Sequence, residues 1–218
     1  MNKPPFSIQT NEVRTIQVTE LRASTENRTL AGYAAVFNEF SENMGGFFEV
    51  IEPGAFDDVL GEDVRCLYNH DANFVLGRTA SNTLTLSVDE KGLKYVCQLP
   101  DTQQARDLIQ SVERGDVNQC SFKFQVKDQD WYDDDQRGWV RSISKVLHLY
   151  DVGPVTFPAY HTTEATVRSF EEARSSKAGD NPDTSASTAT GQADSDTSPD
   201  LIKRNKRARK LKLLQMAS

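Results

Sequence analysis

The chain has 218 residues, 37% of them hydrophobic, and a formal net charge of −7. That length and hydrophobic content suit one domain of ordinary size with disordered ends, and they exclude two full domains. No run of 18 apolar residues occurs and the N-terminus lacks a signal peptide's apolar region, which predicts a cytosolic protein that is neither secreted nor bound to a membrane. Cys66, Cys97 and Cys120 are odd in number and lack metal-ligand spacing, so we expect buried thiols, no disulfide, no metal and no cofactor.

The first hundred residues consist mainly of predicted strands separated by turns. Alternating apolar and polar positions predict strands over residues 11–21, 29–37, 47–51, 64–71, 84–88 and 93–99. We expect the first two strands to form a hairpin around residues 24–27. The last two are expected to form a half-buried hairpin around residues 89–92. A proline in the first turn predicts a short helix over residues 53–60.

The next part of the chain begins with a predicted helix that leads into a strand. Asp101 is an N-cap residue, good helix formers follow over residues 102–114, and Gly115 is a C-cap residue. The later predicted elements are a strand at 116–126, a charged hairpin tip at 128–138, a returning strand at 139–150 and a terminal helix at 163–174. The acids of the tip lack the spacing of a helix-loop-helix calcium site, so no metal is predicted there.

The C-terminal part of the chain changes composition abruptly. Residues 175–200 contain no aromatic or large aliphatic side chain, so they cannot bury enough surface to offset the entropy of ordering. Residues 201–218 carry seven cations and no acid, which leaves −14 on the rest of the chain. The predicted organisation is a flexible N-terminus at 1–14, one domain at 15–170, a disordered linker at 171–200 and a basic tail, able to form a short helix, at 201–218.

One serine lies near the start of the strand that carries the most regular pattern. Side chains alternate across a strand, which places four apolar residues on one face: Cys120, Phe122, Phe124 and Val126. Ser121, Lys123 and Gln125 then lie on the other face. Ser121 is therefore predicted to be available for chemistry.

A serine becomes a nucleophile only with a base, and the base needs an orienting group. Of the three histidines, His70 is the best candidate base because it ends a predicted strand in a polar turn, where reactive groups are usually displayed. An acid in an apolar run costs stability unless it is paired, which makes Asp151 the candidate orienting group. His148 is the alternative, three residues earlier and on the other face of the same strand.

Four motifs occur in the order that is found in one protein family. They are Leu-Tyr-Asn-His-Asp at 67–71 with Val-Leu-Gly-Arg-Thr at 75–79, Leu-Pro-Asp-Thr at 99–102, Cys-Ser-Phe-Lys-Phe at 120–124, and Tyr-Asp-Val at 150–152 with Val-Thr-Phe-Pro-Ala-Tyr at 155–160. Over residues 15–168 the chain resembles the prohead maturation proteases of tailed bacteriophages. These are serine peptidases and distant relatives of the herpesvirus assemblins. The chain departs from the family at Cys120, where methionine is commoner, and at Lys123, where a small residue is common.

The resemblance implies roles for the candidate residues. His70 matches the family's catalytic base and Ser121 its nucleophile, while an acid usually stands where Asp151 does. The herpesvirus relatives use a second histidine instead, which keeps His148 as the alternative. Arg78 is a candidate oxyanion or substrate-binding group, with a structural salt bridge as its other interpretation, and backbone amides near residues 153–154 are a further oxyanion candidate.

The resemblance also implies a fold and a biological setting. The expected fold is α+β and β-rich: a herpesvirus-protease-like closed antiparallel β-barrel with a few surrounding helices. The expected activity is cleavage of scaffold, of the N-terminal extension of the major capsid protein, or of both, and of the chain itself, inside a prohead in the host cytoplasm. A homodimer, and contact of the basic tail with scaffold, capsid interior or nucleic acid, fit this setting. The alternative is a non-catalytic scaffold or capsid-binding assembly protein.

Overall fold

A computed structural model describes residues 11–17, 21–157 and 164–178 of the chain. Strands dominate the described residues, accompanied by two α-helices and one 3-10 helix, so the fold class is α+β and β-rich. The strands are β1 (Glu12–Gln17), β2 (Arg22–Ser24), β3 (Thr29–Val36), β4 (Phe48–Ile51), β5 (Arg65–Leu67), β6 (Val75–Arg78), β7 (Leu84–Val88), β8 (Gly92–Gln98), β9 (Gln119–Asp134) and β10 (Gly138–Val155). The helices are α1 (Gln103–Glu113), α2 (Glu164–Ala178) and the 3-10 helix Thr79–Ser81.

The strands form two sheets. The first has the order β1-β9-β10-β5-β6, with β4 also paired to β10, and the second has the order β2-β3-β8-β7. β10 runs antiparallel to β9 but parallel to β4 and β5, so the first sheet is mixed where an antiparallel arrangement was expected. No closed barrel is found among the described strands, and the barrel stays a prediction.

The β9–β10 hairpin forms the middle of the first sheet and is longer than the sequence predicted. Its turn lies at residues 135–137, where Asp134 Oδ1 accepts hydrogen bonds from the backbone N–H groups of Gln136 and Arg137. The acidic residues 128–134, expected in the hairpin tip, therefore belong to a strand. Several register shifts interrupt the pairing of the two strands, and such bulges bend a strand.

β10 continues through Gly153 and Pro154, beyond the strand end that the sequence predicted at residue 150. A proline lacks the backbone N–H that a central strand donates. β5 pairs with β10 only as far as Val152, so no strand requires a donor from Pro154 on that side. The carbonyl of Pro154 instead accepts a hydrogen bond from the backbone N–H of Asn69 at 3.0 Å.

Helix α1 packs on the core through one apolar face. Its buried residues recur at helical spacing: Ala105, Leu108, Ile109 and Val112. The N-cap is Thr102, whose side chain accepts from the backbone N–H of Ala105, and not Asp101 as predicted. Gly115 follows the helix with φ +82°, as expected for a glycine that ends a helix.

Two predicted elements differ from the structure. Residues 53–60 form successive turns and not a helix, because Gly54 adopts φ +84° and the backbone bonds run from Ala55 N to Glu52 O and from Val59 N to Phe56 O. The expected hairpin near the N-terminus is half correct. β2 pairs with β3, whereas β1 leaves that sheet and pairs with β9.

Helix α2 extends the folded unit beyond the predicted boundary at residue 170. It reaches Ala178, and its Phe170 ring packs 5.4 Å from Trp131 and 5.3 Å from Phe47. β1 likewise begins inside the segment predicted to be flexible. The rest of the linker and the basic tail at 179–218, together with residues 158–163, lie outside the described residues. No described helix is long and apolar enough to cross a membrane.

Candidate active site

Ser121 is the third residue of β9 and lies in the middle of the first sheet. It pairs with Gly153 of β10 on one side and with Thr15 of β1 on the other. Ser121 is completely buried, a property that the sequence did not predict. Alternation assigned the residue to a face of the strand, but it carried no information on the His70 loop and the Arg14 carbonyl that contact its hydroxyl.

His70 lies in the loop between β5 and β6 and contacts Ser121. Its Nε2 atom is 2.6 Å from Ser121 Oγ, and its Nδ1 atom hydrogen bonds to Asp151 Oδ1. A carboxylate beside Nδ1 keeps the hydrogen on that atom, which leaves Nε2 free to accept the serine proton. The structure therefore brings the three predicted residues into one hydrogen-bonded chain.

Asp151 reaches His70 because of the register between β9 and β10. Gly153 is opposite Ser121, and Asp151, two residues earlier in β10, is opposite Lys123. Residues two apart share a face of a strand, so Asp151 lies on the Ser121 face. Its side chain is only 7% exposed, which limits the screening of its charge by water.

His148, the alternative third residue, lies elsewhere. Its Nδ1 atom is 2.8 Å from Glu62 Oε1, and half of its side chain is exposed. The acid and not the second histidine therefore contacts His70. This geometry favours a Ser-His-Asp arrangement over a Ser-His-His arrangement.

The Ser121 hydroxyl has a second partner that the sequence did not suggest. Its Oγ atom lies 2.7 Å from the backbone carbonyl oxygen of Arg14, on the adjacent strand β1. A hydroxyl has one hydrogen to donate. The Arg14 carbonyl and His70 Nε2 therefore compete for it.

A buried cluster of four charges holds Arg14 in place. Its guanidinium lies 2.6 Å from Glu49 and 2.5 Å from Glu12, and Arg141 contacts the same two carboxylates at 2.8 and 2.7 Å. Burial lowers the pKa of Arg14, but the adjacent Glu49 and Glu12 outweigh burial, so that the pKa is raised. The Thr166 hydroxyl of α2 donates to Glu12 at 3.1 Å. Sequence patterning missed this cluster because charged residues in strands usually predict an exposed face.

The cysteine beside the serine lies on the opposite face of β9. Burial raises the pKa of Cys120 to about 12, partly offset by its hydrogen bond with Tyr95, whose hydroxyl is 3.1 Å away. The thiol is therefore neutral at physiological pH and is a poor nucleophile. Cys66, Cys97 and Cys120 are all buried free thiols, as the sequence predicted.

Arg78, the candidate oxyanion or substrate-binding group, forms an ion pair. Its Nε and Nη2 atoms lie 2.7 and 2.5 Å from the two carboxylate oxygens of Asp63, and both side chains are more than 40% exposed. Within the part of the chain that the structure describes, no hydrogen bond or ion pair joins Arg78 to Ser121, His70 or Asp151. Of the backbone candidates at 153–154, Pro154 has no N–H to donate, and Gly153 pairs with Ser121 within the sheet.

Comparison with known proteins assigns the chain to a family. The family model described as caudovirus prohead serine protease matches residues 14–177, which is most of the chain. Comparisons with curated proteins and with solved structures returned no match. The matched region contains all the candidate residues described above. The chain therefore belongs to the caudovirus prohead serine protease family.

Proposed function

We propose that the chain is a serine endopeptidase in which Ser121 is the nucleophile, His70 the general base and Asp151 the orienting acid. The observation that carries the proposal is the chain of hydrogen bonds from Ser121 Oγ through His70 to Asp151. Two aligned bonds of this kind are the geometric signature of an activated nucleophile. The family supports a serine peptidase of capsid maturation.

The reaction is acyl transfer in two stages. Ser121 Oγ attacks the carbonyl carbon of the scissile peptide bond while its proton moves to His70 Nε2, and the proton then passes to the leaving amine as the C–N bond breaks. Water, deprotonated by His70, next attacks the acyl-enzyme and releases the new carboxyl group and the free hydroxyl. Asp151 stabilises the imidazolium that forms in each stage.

Membership of the family supports capsid proteins as the class of substrate. We propose that the enzyme cleaves scaffold, the N-terminal extension of the major capsid protein, or both, and that it also cleaves itself. This chemistry would take place inside the prohead in the host cytoplasm. The seven cations of residues 201–218 support an anchoring role for the tail on an acidic protein surface or on nucleic acid.

The test uses the full chain coexpressed with its capsid protein, with mass spectrometry of the products. Ser121→Ala and His70→Ala should each reduce cleavage by about 10⁴-fold or more, because the members of a triad act as a unit. Ser142→Ala is the matched control, since Ser142 is another buried strand serine that bonds to Glu52 and not to His70. A fluorophosphonate should label wild-type protein at Ser121. Cleavage by folded Ser121→Ala at the wild-type rate would instead support a non-catalytic assembly protein.

A further inference from the structure

The loop that carries His70 has an unusual backbone. Asn69 and His70 both adopt left-handed conformations, with φ of 55° and 57°. L-residues with a side chain disfavour this region, although asparagine tolerates it better than most. Two consecutive residues of this kind persist only where surrounding contacts hold them.

Those contacts come from Asn69 and connect the loop to the end of β10. The backbone N–H of Asn69 donates to Pro154 O at 3.0 Å. Its side-chain oxygen accepts from the backbone N–H of Thr156 at 2.8 Å, and its side-chain nitrogen donates to Thr156 Oγ1 at 3.2 Å. The Tyr68 hydroxyl also contacts Thr156 Oγ1, at 2.8 Å.

The position of Thr156 means that these contacts connect the His70 loop to strand β10. Thr156 immediately follows β10 (Gly138–Val155), the strand that carries Asp151 and pairs with Ser121 through Gly153. A bond from Asn69 to Thr156 therefore fixes the His70 loop against the strand that positions both of its catalytic neighbours. Asparagine suits the position because one side chain supplies a donor, an acceptor and tolerance of the left-handed backbone.

We propose that Asn69 is a positioning residue whose side-chain bonds to Thr156 hold the His70 imidazole between Ser121 and Asp151. The inference rests on the proposed Ser-His-Asp function. Asn69 itself is exposed, so its side chain contributes little to the buried core. Loss of the bonds should therefore affect the alignment of His70 more than the stability of the fold.

The principal test is Asn69→Gly, which keeps the left-handed backbone without strain but removes both side-chain bonds. We expect kcat to fall by about 10-fold or more, as misplaced catalytic groups do, while KM and the melting temperature stay close to wild type. Asn38→Gly is the matched control, because Asn38 also has a positive φ of 59° and lies outside the site. It should leave kcat unchanged.

Variants of the partner residue separate positioning from a general loop effect. Thr156→Val removes the hydroxyl and keeps the backbone donor, so it should lower kcat less than Asn69→Gly, while Thr156→Ser should restore the wild-type rate. Asn69→Asp keeps the acceptor for the Thr156 N–H and should retain more activity than Asn69→Gly. The double variant Asn69→Gly with Thr156→Val should lose less kcat than the product of the two single losses, since both changes remove the bond between the Asn69 side chain and Thr156 Oγ1.

Two outcomes would overturn the inference. One is a wild-type kcat in Asn69→Gly. The other is a fall in kcat that is accompanied by a clear fall in the melting temperature of Asn69→Gly. The result for Ser121→Ala separates this failure from failure of the proposed function. If Ser121→Ala is inactive and Asn69→Gly has wild-type kcat, only the role of Asn69 is wrong. If Ser121→Ala retains full activity, the proposed function itself is wrong.

Discussion

The proposed activation of Ser121 depends on which acceptor receives the single hydrogen of its hydroxyl group. With His70 neutral and its Nδ1–H directed to Asp151, Nε2 accepts and Ser121 is activated. With His70 protonated, Nε2 donates instead, and the serine hydrogen is directed to the Arg14 carbonyl at 2.7 Å. The Arg14 carbonyl therefore stabilises the arrangement in which Ser121 is not activated.

Cys120 tests the assignment of the nucleophile at the residue scale. Cys120→Ala should destabilise the protein by about 1–2 kcal/mol, a usual cost for a core truncation, because the thiol is fully buried and contacts the Tyr95 hydroxyl. Peptide cleavage by the folded variant should stay at the wild-type level. Urea unfolding and a cleavage assay measure the two effects. An inactive but fully folded Cys120→Ala protein would indicate that the nucleophile is misassigned.

The three residues of the proposed triad could be identified from the sequence, but their surroundings could not. His70 and Ser121 stand in short motifs, and Asp151 is the one carboxylate in an apolar segment, so local sequence identified all three. The Arg14 carbonyl and the buried state of Ser121 depend on the pairing of β1 with β9, which joins residues more than 100 positions apart. No local pattern encodes such a pairing.

At the scale of elements, the close approach of β5 and β10 sets the distance between His70 and Ser121. A Cβ atom at Gly153 would lie 2.0 Å from the Leu67 carbonyl oxygen, a backbone atom of β5. β5 leads directly into the His70 loop. The glycine is therefore required for the two strands to bring His70 and Ser121 together.

Gly153→Ala should consequently separate β5 from β10. We expect the free energy of unfolding to fall by about 1–3 kcal/mol from overpacking. We also expect kcat to fall by more than the loss of folded enzyme accounts for. Gly61→Ala is the control, since a Cβ atom there meets nothing within 4 Å. Chemical denaturation and steady-state kinetics on both variants measure the effects. Wild-type kcat in Gly153→Ala would show that the spacing of these strands is not critical.

Strand β1 lies beside Ser121 in the sheet, and its Arg14 carbonyl contacts the Ser121 hydroxyl, so movement of β1 should control access to Ser121. Val13 lies directly opposite Lys123, two residues from the serine, and opposed residues have Cα atoms about 4.5–5.5 Å apart, within disulfide range. The oxidised double variant Val13→Cys with Lys123→Cys should show slower cleavage and slower fluorophosphonate labelling. Reduction should restore both rates.

The control for this lock lies in the second sheet. Ser87 and Lys94 are directly opposed in β7 and β8, so Ser87→Cys with Lys94→Cys forms a comparable crosslink away from the site. Its oxidation should leave both rates unchanged. Equal rates in the oxidised and reduced forms of the β1 variant would show that substrate reaches Ser121 without movement of β1.

Some elements are determined by residues close in sequence, and others by contacts between residues far apart in sequence. The β7–β8 hairpin and helix α1 were predicted almost to their ends, because a turn or a pair of caps close in sequence defines each one. The turns at residues 53–60 and the departure of β1 from its expected hairpin were not predicted. In the first place the positive φ of Gly54 prevents a helix, and in the second the pairing of β1 with β9 overrides the local preference for a hairpin.

At the scale of the whole molecule, helix α2 is held to the β9 strand of the folded unit. Trp131 Nε1 and Gln129 Nε2 both donate to Ser169 Oγ, at 2.9 and 2.8 Å. Deletion of residues 179–218 should therefore leave peptide cleavage intact while it reduces incorporation into proheads in a salt-dependent manner. Deletion from residue 164 should cost stability. A protein lacking 179–218 that is packaged as efficiently as the full chain would exclude a targeting role for the tail.

The buried cluster of Glu12, Arg14, Glu49 and Arg141 joins β1, β4 and β10, and the Thr166 bond adds α2. Burial raises the pKa of Glu12, but the hydrogen bond and charge of Arg141, the charge of Arg14 and the Thr166 bond outweigh it, so the pKa lies below its ordinary 4.5. Ionised Glu12 thus stabilises the folded state fully above about pH 4.5. That contribution is lost as pH falls through the lower, folded-state pKa.

Glu12→Gln should therefore have an effect that depends on pH. At pH 7 it leaves two buried guanidinium groups with one carboxylate, and breaking such an arrangement costs about 3–5 kcal/mol. In acid the wild-type protein also loses the Glu12 charge, so the difference in urea midpoint between the two proteins should shrink below pH 4.5. Glu90→Gln, at an exposed site, should differ little from wild type at any pH. If the difference in urea midpoint between wild type and Glu12→Gln is the same at pH 7 and at pH 3.5, the Glu12 charge does not stabilise the junction of β1 with α2. Packing alone would then hold β1 against β9.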